Sequence, residues 1–549
     1  MATKKNSVYD FVSVNFCADV DRVLDSQHVN SVFISASKDK WNDNGFRVRI
    51  NFRIRLQDMH EVYAGDGYIG FLQKEEDTNY IKHLLGESEL ISLPANDQHR
   101  FFTMLPDMEA YRSFVRALGP RNAVKVLKCM RDMVALTEFK TQANWVDLAK
   151  SSRVFTQAFL RDYGAYFAFK NAGPILRDLR SEDLGGMSKG FSINFQMEGR
   201  GNEHNLRFLF DHGDDLPKRI AVVIGRNGVG KSQALRQISE SLLKGKKNIA
   251  DVFDGQRPSV NRLLTFSPTN EAATVFPTGR GRNSIWYRRF TLNRSLKKRD
   301  GEAVSDLIVQ LARSDQNIGS SSRWKILMRS LAGIDRSEEL CLLRRETGDP
   351  PIPIHEMRKE DSFSALDRYG EINLRADPVR MVNGKIFPLS SGEISFLRFA
   401  SQVSLYVENG SLLLLDEPET HLHPAFISQL VSLLDRLLDA TGSAAIIATH
   451  SVYFVREVFS EQVTVLTVNR SGMVVPKRPN LNTFGADVGA ISYFVFDEDE
   501  PSQLAKRVKE KLIDRFPAWE DIYTRYKREL SPDLLASLRE SMIRASEDE

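Results

Sequence analysis

Five apolar residues, Ile220-Ala-Val-Val-Ile224, run directly into Gly225-Arg-Asn-Gly-Val-Gly-Lys-Ser232. A short apolar run closed by glycine reads as a strand buried on both faces, and such strands belong to parallel sheets covered by helices on either side. Leu235, Ile238 and Leu242 then recur at helical spacing, so the glycine-rich segment joins a strand to a helix. In that setting it is a phosphate cradle, with backbone amides and a helix N-terminus facing an anion. Gly225, Gly228 and Gly230 are expected to supply turns without a Cβ, with Asn227 and Gln233 as neighbouring contacts. Lys231 would reach the β- and γ-phosphates of ATP, and the Ser232 hydroxyl would ligate Mg²⁺.

Two further apolar runs end in polar tips. Leu412-Leu-Leu-Leu415 delivers Asp416 and Glu417; Ala444-Ala-Ile-Ile-Ala448 delivers Thr449 and His450. Asp416 is placed to hold Mg²⁺ through water, and Glu417 to orient or deprotonate an attacking water. His450 is the candidate contact to the γ-phosphate. Between the cradle and Asp416 lies Leu389-Ser-Ser-Gly-Glu393.

This order of strings resembles the ATP-binding-cassette superfamily. The resemblance covers roughly residues 190–470. It implies an α/β P-loop NTPase of ABC-ATPase type, a mixed sheet core with a helical subdomain, using ATP and Mg²⁺. It also implies that Ser390, Ser391, Gly392 and Glu393 cover nucleotide held by a second copy, so that the chain works as a homodimer or higher homo-oligomer. Ser391 stands where transporters usually have glycine, and Glu393 where they have glutamine. The string Asp416-Glu-Pro-Glu-Thr-His-Leu-His-Pro424 is similar to the soluble OLD-, RecF- and SMC-like branch, where Glu419 to Pro424 would form a loop crossing the dimer interface. His421 and His423 read as part of that turn rather than as a metal site. The glutamine that cassette ATPases carry after the next strand is absent from Thr265-Phe-Ser-Pro-Thr-Asn270, which leaves Ser267 and Asn270 as alternatives.

Around the cassette the sequence is less specific. Residues 1–185 predict an α+β lobe, 186–475 the ATPase with an insertion at about 270–380, and 476–549 a mostly helical segment. In the lobe, Phe46–Leu56 alternates as a half-buried strand, Gly65-Asp-Gly67 reads as a turn, and helical spacing begins near Met108. A net charge of +3 does not by itself argue for nucleic acid, and 42% hydrophobic residues is ordinary for a globular chain. No run approaches the roughly eighteen apolar residues of a membrane span. The start lacks a secretory pattern, and Cys17, Cys129 and Cys341 fit no ligand spacing, so a cytoplasmic protein without membrane contact is expected.

A basic segment holds Arg280, Arg282, Arg288, Arg289, Arg294, Lys297, Lys298 and Arg299, interleaved with Trp286, Tyr287 and Phe290. It reads either as a nucleic-acid contact or as an insertion whose aromatics pack on the cassette. Asp497-Glu-Asp499 has no partner glutamate strand and reads as an acidic turn, so no nuclease site is recognised in the chain. Size, motifs and the segment Asn482–Ser492 resemble the PtuA ATPases of Septu and retron-associated anti-phage systems. That resemblance implies an HNH nuclease partner (PtuB-like), with a retron reverse transcriptase and its msDNA as further components. A DNA-clamping repair ATPase and an ATP-stabilised scaffold remain the alternatives.

Overall fold

A computed structural model describes residues 12–547, apart from 23–29, 40–44, 58–61, 73–76, 89, 93–99, 141–143, 198–200, 212–215, 269–274, 280–282, 293–302, 315, 333, 347–348, 359–367, 422–423, 470 and 497–502. The fold is α/β around a seven-stranded sheet. Its strands lie in the order Trp286–Thr291, Arg262–Ser267, Leu412–Asp416, Ala444–Thr449, Ile220–Gly225, Val463–Val468 and Val474–Lys477. Every neighbouring pair is parallel except the last. From Ile220–Gly225 the chain crosses to one side of the sheet for four strands and returns on the other for Val463–Val468, the switch at which such sheets bind ligands. The register sets Asp416 beside Ala448, and Thr449 beside Ile224. All three polar tips therefore end at one level.

Alternate residues of these strands face opposite cores. Val222, Ile224, Leu413, Leu415, Ala445 and Ile447 pack with helices Val304–Arg313, Arg323–Leu331, Ser391–Tyr406 and Pro424–Thr441. Ala221, Val223, Leu412, Leu414, Ala444 and Ile446 pack instead with helix Lys231–Lys244 and a three-stranded sheet of Gly190–Gln196, Glu203–Leu209 and Ile249–Asp251. The helix after the phosphate loop and the helix after Ser390 thus lie on opposite faces. A four-stranded sheet precedes Ser390. Its hairpin, Val379–Val382 and Lys385–Pro388, turns on Asn383 and Gly384, both with positive φ (50° and 75°) as a two-residue hairpin loop requires.

The N-terminal lobe is a six-stranded sheet under helices that include Met108–Cys129 and Tyr163–Asn171. Strand Arg49–Arg55 alternates buried and half-exposed positions. Gly65-Asp-Gly67 is not a turn: it lies within the continuous strand Tyr63–Phe71. A Cβ on Gly65 would stand 2.7 Å from the Phe52 ring, so the glycine serves close approach across the strand pair.

Four buried charged side chains tie the lobe to the region of the seven-stranded sheet. Arg112 pairs with Glu182 and Glu408 at 2.6 Å each, and Arg323 also bonds Glu408. Arg323 donates further to the carbonyls of Ser404 and Val407, the C-terminal end of the helix that begins after Ser390. The Glu182 carboxylate accepts from Asn409 and from the Gly319 amide. Burial pushes the Glu408 carboxyl up, but the guanidinium charges of Arg112, Arg323 and Arg262 win and hold it at about 2. C-terminal helices Gln503–Arg515, Trp519–Tyr526 and Pro532–Glu547 share a small core of their own around Leu512, Ile522 and Leu538.

The basic segment is a strand where it is described. Trp286–Thr291 forms the edge of the central sheet. Trp286 stacks on Tyr406, Arg288 lies 3.7 Å over the Tyr406 ring, and Phe290 stacks on Phe266. These aromatics and Arg288 therefore pack on the neighbouring strand and on helix Ser391–Tyr406. Arg280, Arg282, Arg294, Lys297, Lys298 and Arg299 lie outside the described residues.

Candidate nucleotide-binding site

The loop from Arg226 to Gly230 folds by backbone geometry that only glycine takes without strain. Gly228 and Gly230 have φ of 78° and 96°, and Gly230 caps helix Lys231–Lys244. Gly225 differs from the expected turn glycine. It is the last residue of its strand, where a Cβ would meet the Leu466 carbonyl at 2.5 Å. Asn227 and Gln233 are exposed at the loop and in the first helical turn. Lys231 is buried and folds back to donate to the carbonyls of Gly225 at 3.0 Å and Arg226 at 3.3 Å. Burial pushes its ammonium below the ordinary lysine range, with Glu417, Glu419 and Asp416 pulling the other way.

The Ser232 hydroxyl donates to Asp416 Oδ1 at 2.8 Å, joining residues 184 positions apart. Asp416 is buried at its strand end and its carboxyl rises to about 6. Burial is the main cause, the charges of Glu417 and Glu419 add to it, and the Ser232 bond and Lys231 oppose it. Three carboxylates thus share the cleft with one lysine. That shortage of positive charge, beside a hydroxyl and a carboxylate already in hydrogen-bond contact, fits a hard divalent cation such as Mg²⁺.

Glu417 extends the pairing past Asp416, its amide donating to the Ala448 carbonyl at 2.8 Å. Its φ is 42°, a left-handed backbone that costs a side-chain-bearing residue energy and that clusters at functional sites. The turn projects a half-exposed carboxylate to 3.8 Å from His450 Nδ1. The resemblance puts Glu419 at the start of a loop crossing to a second copy. Within one copy its side chain turns inward, 6% exposed, and its carboxylate lies 3.1 Å from His450 Nδ1. The helical turn Pro418–His421 is what redirects it. The signal available in the sequence is its placement three residues after Asp416. Leu422 and His423 lie outside the described residues, and no group of three metal-binding side chains occurs among the described ones. Of the glutamine substitutes, Ser267 is buried at its strand end and Asn270 lies outside the described residues.

Leu389 is buried, Ser390 and Ser391 are exposed, and Gly392 and Glu393 are half-exposed. Ser390 caps helix Ser391–Tyr406 in a reciprocal box with Glu393. Arg380 reaches Glu393 at 2.7 Å. Burial favours the neutral Glu393 carboxyl, but the Arg380 and Ser390 hydrogen bonds win and hold it below the usual range. Ser390 lies at the start of a helix on the sheet face opposite the phosphate-loop helix, so the structure does not gather the two strings into one contact set.

Residues 367–456 match the AAA_21 family model, described as "AAA domain, putative AbiEii toxin, Type IV TA system". Protein ea59 of Escherichia phage lambda is 22% identical over 527 residues, spanning 91% of this chain and 93% of that protein. Among solved structures, CbiO1 of Clostridium perfringens, part of the ABC transporter complex cbiONQ, is 16% identical, with 60% of this chain and 96% of that chain covered and a TM-score of 0.29. UvrA2 from Deinococcus radiodurans is 16% identical over 52% of this chain and 36% of that chain, at a TM-score of 0.28. The SMC head domain from Thermotoga maritima is 14% identical over 54% of this chain and all (100%) of that domain, at a TM-score of 0.26. The AAA_21 match contains Ser390, Asp416, Glu417 and His450, and the strand order and phosphate loop give the central region the α/β fold of a P-loop NTPase. Among the described residues no helix is long and apolar enough to cross a membrane.

Proposed function

We propose that this chain binds Mg²⁺-ATP and hydrolyses it to ADP and phosphate in a dimer that holds one nucleotide against two copies. The observation that carries this reading is the Ser232–Asp416 hydrogen bond, which closes the phosphate loop onto an acid-rich strand tip. Lys231 would exchange its carbonyl partners for phosphate oxygens. Glu417 would take the proton of the water attacking the γ-phosphate, and His450 would hydrogen-bond that phosphate. Ser232 and Asp416 would hold Mg²⁺, which supplies charge neutralisation at the phosphate oxygens. Ser390, Ser391 and Gly392 lie across the sheet from the phosphate-loop helix and are open to solvent or half so, which supports their use by a second copy's nucleotide.

Phosphate release by the purified chain tests the chemistry. Lys231→Ala should abolish nucleotide binding. Normal turnover in that variant would end the assignment. Light scattering with and without ATP tests the dimer, which fails if the Glu417→Gln protein stays monomeric in saturating Mg²⁺-ATP.

We further propose a regulatory role in an anti-phage complex, with the ATPase holding an HNH nuclease and with a retron reverse transcriptase and its msDNA as further components. The likeness of Asn482–Ser492 to Septu ATPases supports this, as does the toxin–antitoxin description of the family matched at residues 367–456. Co-purification with a nuclease encoded beside it is the expected result. Hydrolysis stimulated by DNA, with a steep salt dependence, would instead favour the DNA-clamping alternative through residues 280–299.

A further inference from the structure

Glu419 has no part in the mechanism above, yet it is the most enclosed carboxylate facing His450. Its Oε1 accepts from the Thr449 hydroxyl and from the His450 amide at 3.0 Å, and it stands 3.1 Å from His450 Nδ1. Backbone and ring of the same residue are thus fixed by one oxygen. Its Oε2 is buried with no hydrogen-bond partner. A buried acceptor left unpaired is costly, and its persistence at a cleft suggests a use.

A histidine ring nitrogen facing a carboxylate carries its proton there, which leaves the other nitrogen to face elsewhere. The Glu417 carboxylate lies 3.8 Å from the same Nδ1 and is the next partner in reach. Without Glu419, the imidazole would turn to the group that must serve the water. We infer that Glu419 is a positioning residue for the proposed hydrolysis. It holds His450 by Nδ1 and by its amide, so that Nε2 is presented to the γ-phosphate and the Glu417 carboxylate stays free. This assignment rests on the ATPase reading.

The test compares turnover and nucleotide affinity in wild type, Glu419→Ala, Glu419→Gln, His450→Ala and the double alanine variant. Glu419→Ala should lower kcat by about 10- to 100-fold, by analogy with removing the partner that orients a metal-bound histidine. Its affinity for a fluorescent ATP analogue should be unchanged. The double variant should be no slower than His450→Ala alone, because one residue acts through the other. Glu419→Gln should recover part of the loss, since its carbonyl oxygen accepts the same bonds. Additive losses, an unaffected kcat in Glu419→Ala, or equal loss of binding in both Glu419 variants would overturn the proposal.

A second measurement does not depend on hydrolysis. Nitrogen-15 spectra of histidine-labelled, nucleotide-free protein should show His450 protonated at Nδ1 in wild type and a displaced Nδ1 signal in Glu419→Ala, where that proton would face Glu417 instead. A wild type that fails to hydrolyse ATP but shows this pattern would end the ATPase reading and leave the pairing standing. Unchanged His450 signals in Glu419→Ala would end the pairing itself.

Discussion

Glu408 and Asp416 stand before and at the end of the same strand, Leu412–Asp416, and both are buried, yet one carboxyl sits at about 2 and the other at about 6. Their neighbours account for the difference. Around Glu408, the charges of Arg112, Arg323 and Arg262 outweigh burial. Around Asp416, Lys231 stands alone against Glu417 and Glu419. The first cluster satisfies itself and joins four segments. The second is short of positive charge until something binds. A buried acid is thus structural or functional according to whether its counter-charge comes from the fold or from a ligand.

The largest break in this comparison should come from chemistry. Glu417→Gln should retain ATP and lower turnover by about 10²- to 10⁴-fold, the scale of a lost general base, in a phosphate-release assay. At the closed cluster the loss is in stability. Arg112→Met leaves Glu182 and Glu408 without that partner and should cost about 3–5 kcal/mol in denaturant unfolding. Asp416→Asn, by contrast, removes one crowded charge and should cost no stability at neutral pH while ending hydrolysis.

The two acids should also respond to pH with opposite sign. The folded Glu408 carboxyl lies near 2, below its ordinary 4.5. Its contribution, about 3 kcal/mol, is present above pH 4.5 and fades as pH falls toward 2. Asp416 is raised from 3.8 to about 6 in the metal-free chain. Its stabilising share is therefore present below pH 4 and lost as pH rises through 6. Unfolding midpoints measured without Mg²⁺ should show the deficit of Glu408→Gln shrinking below pH 4.5, and a gain in Asp416→Asn appearing only above pH 4. The smallest effect, about 1 kcal/mol, should follow Ser390→Ala, which removes a helix cap outside both clusters. A fall in Tm much beyond that would mean Ser390 carries more of the fold than the cap does.

What the sequence made legible was local. Ile220–Ile224, Leu412–Leu415 and Ala444–Ala448 each announce a buried strand and a polar tip within a few residues, because the run and its tip are contiguous. Contacts between distant segments carried no such mark. Arg112 and Glu408 are 296 positions apart, and nothing in either neighbourhood names the other. Gly65 looked like a turn because a glycine that admits the Phe52 ring is indistinguishable, in one sequence, from one that bends the chain. The resemblance speaks of Glu419 only as part of an interface loop, while its bonds within one copy depend on a helical turn and on Thr449, a strand away. Trp286–Thr291 was hidden by its arginines, whose charge masks an edge strand that stacks its rings inward.

The left-handed backbone at Glu417 has a consequence for anyone evolving this protein. Glycine would occupy that position without the roughly 1–2 kcal/mol that a Cβ costs there. A library enriched only for yield or heat resistance should therefore accumulate Glu417→Gly, and its fittest survivors would be well-folded chains that no longer turn over nucleotide.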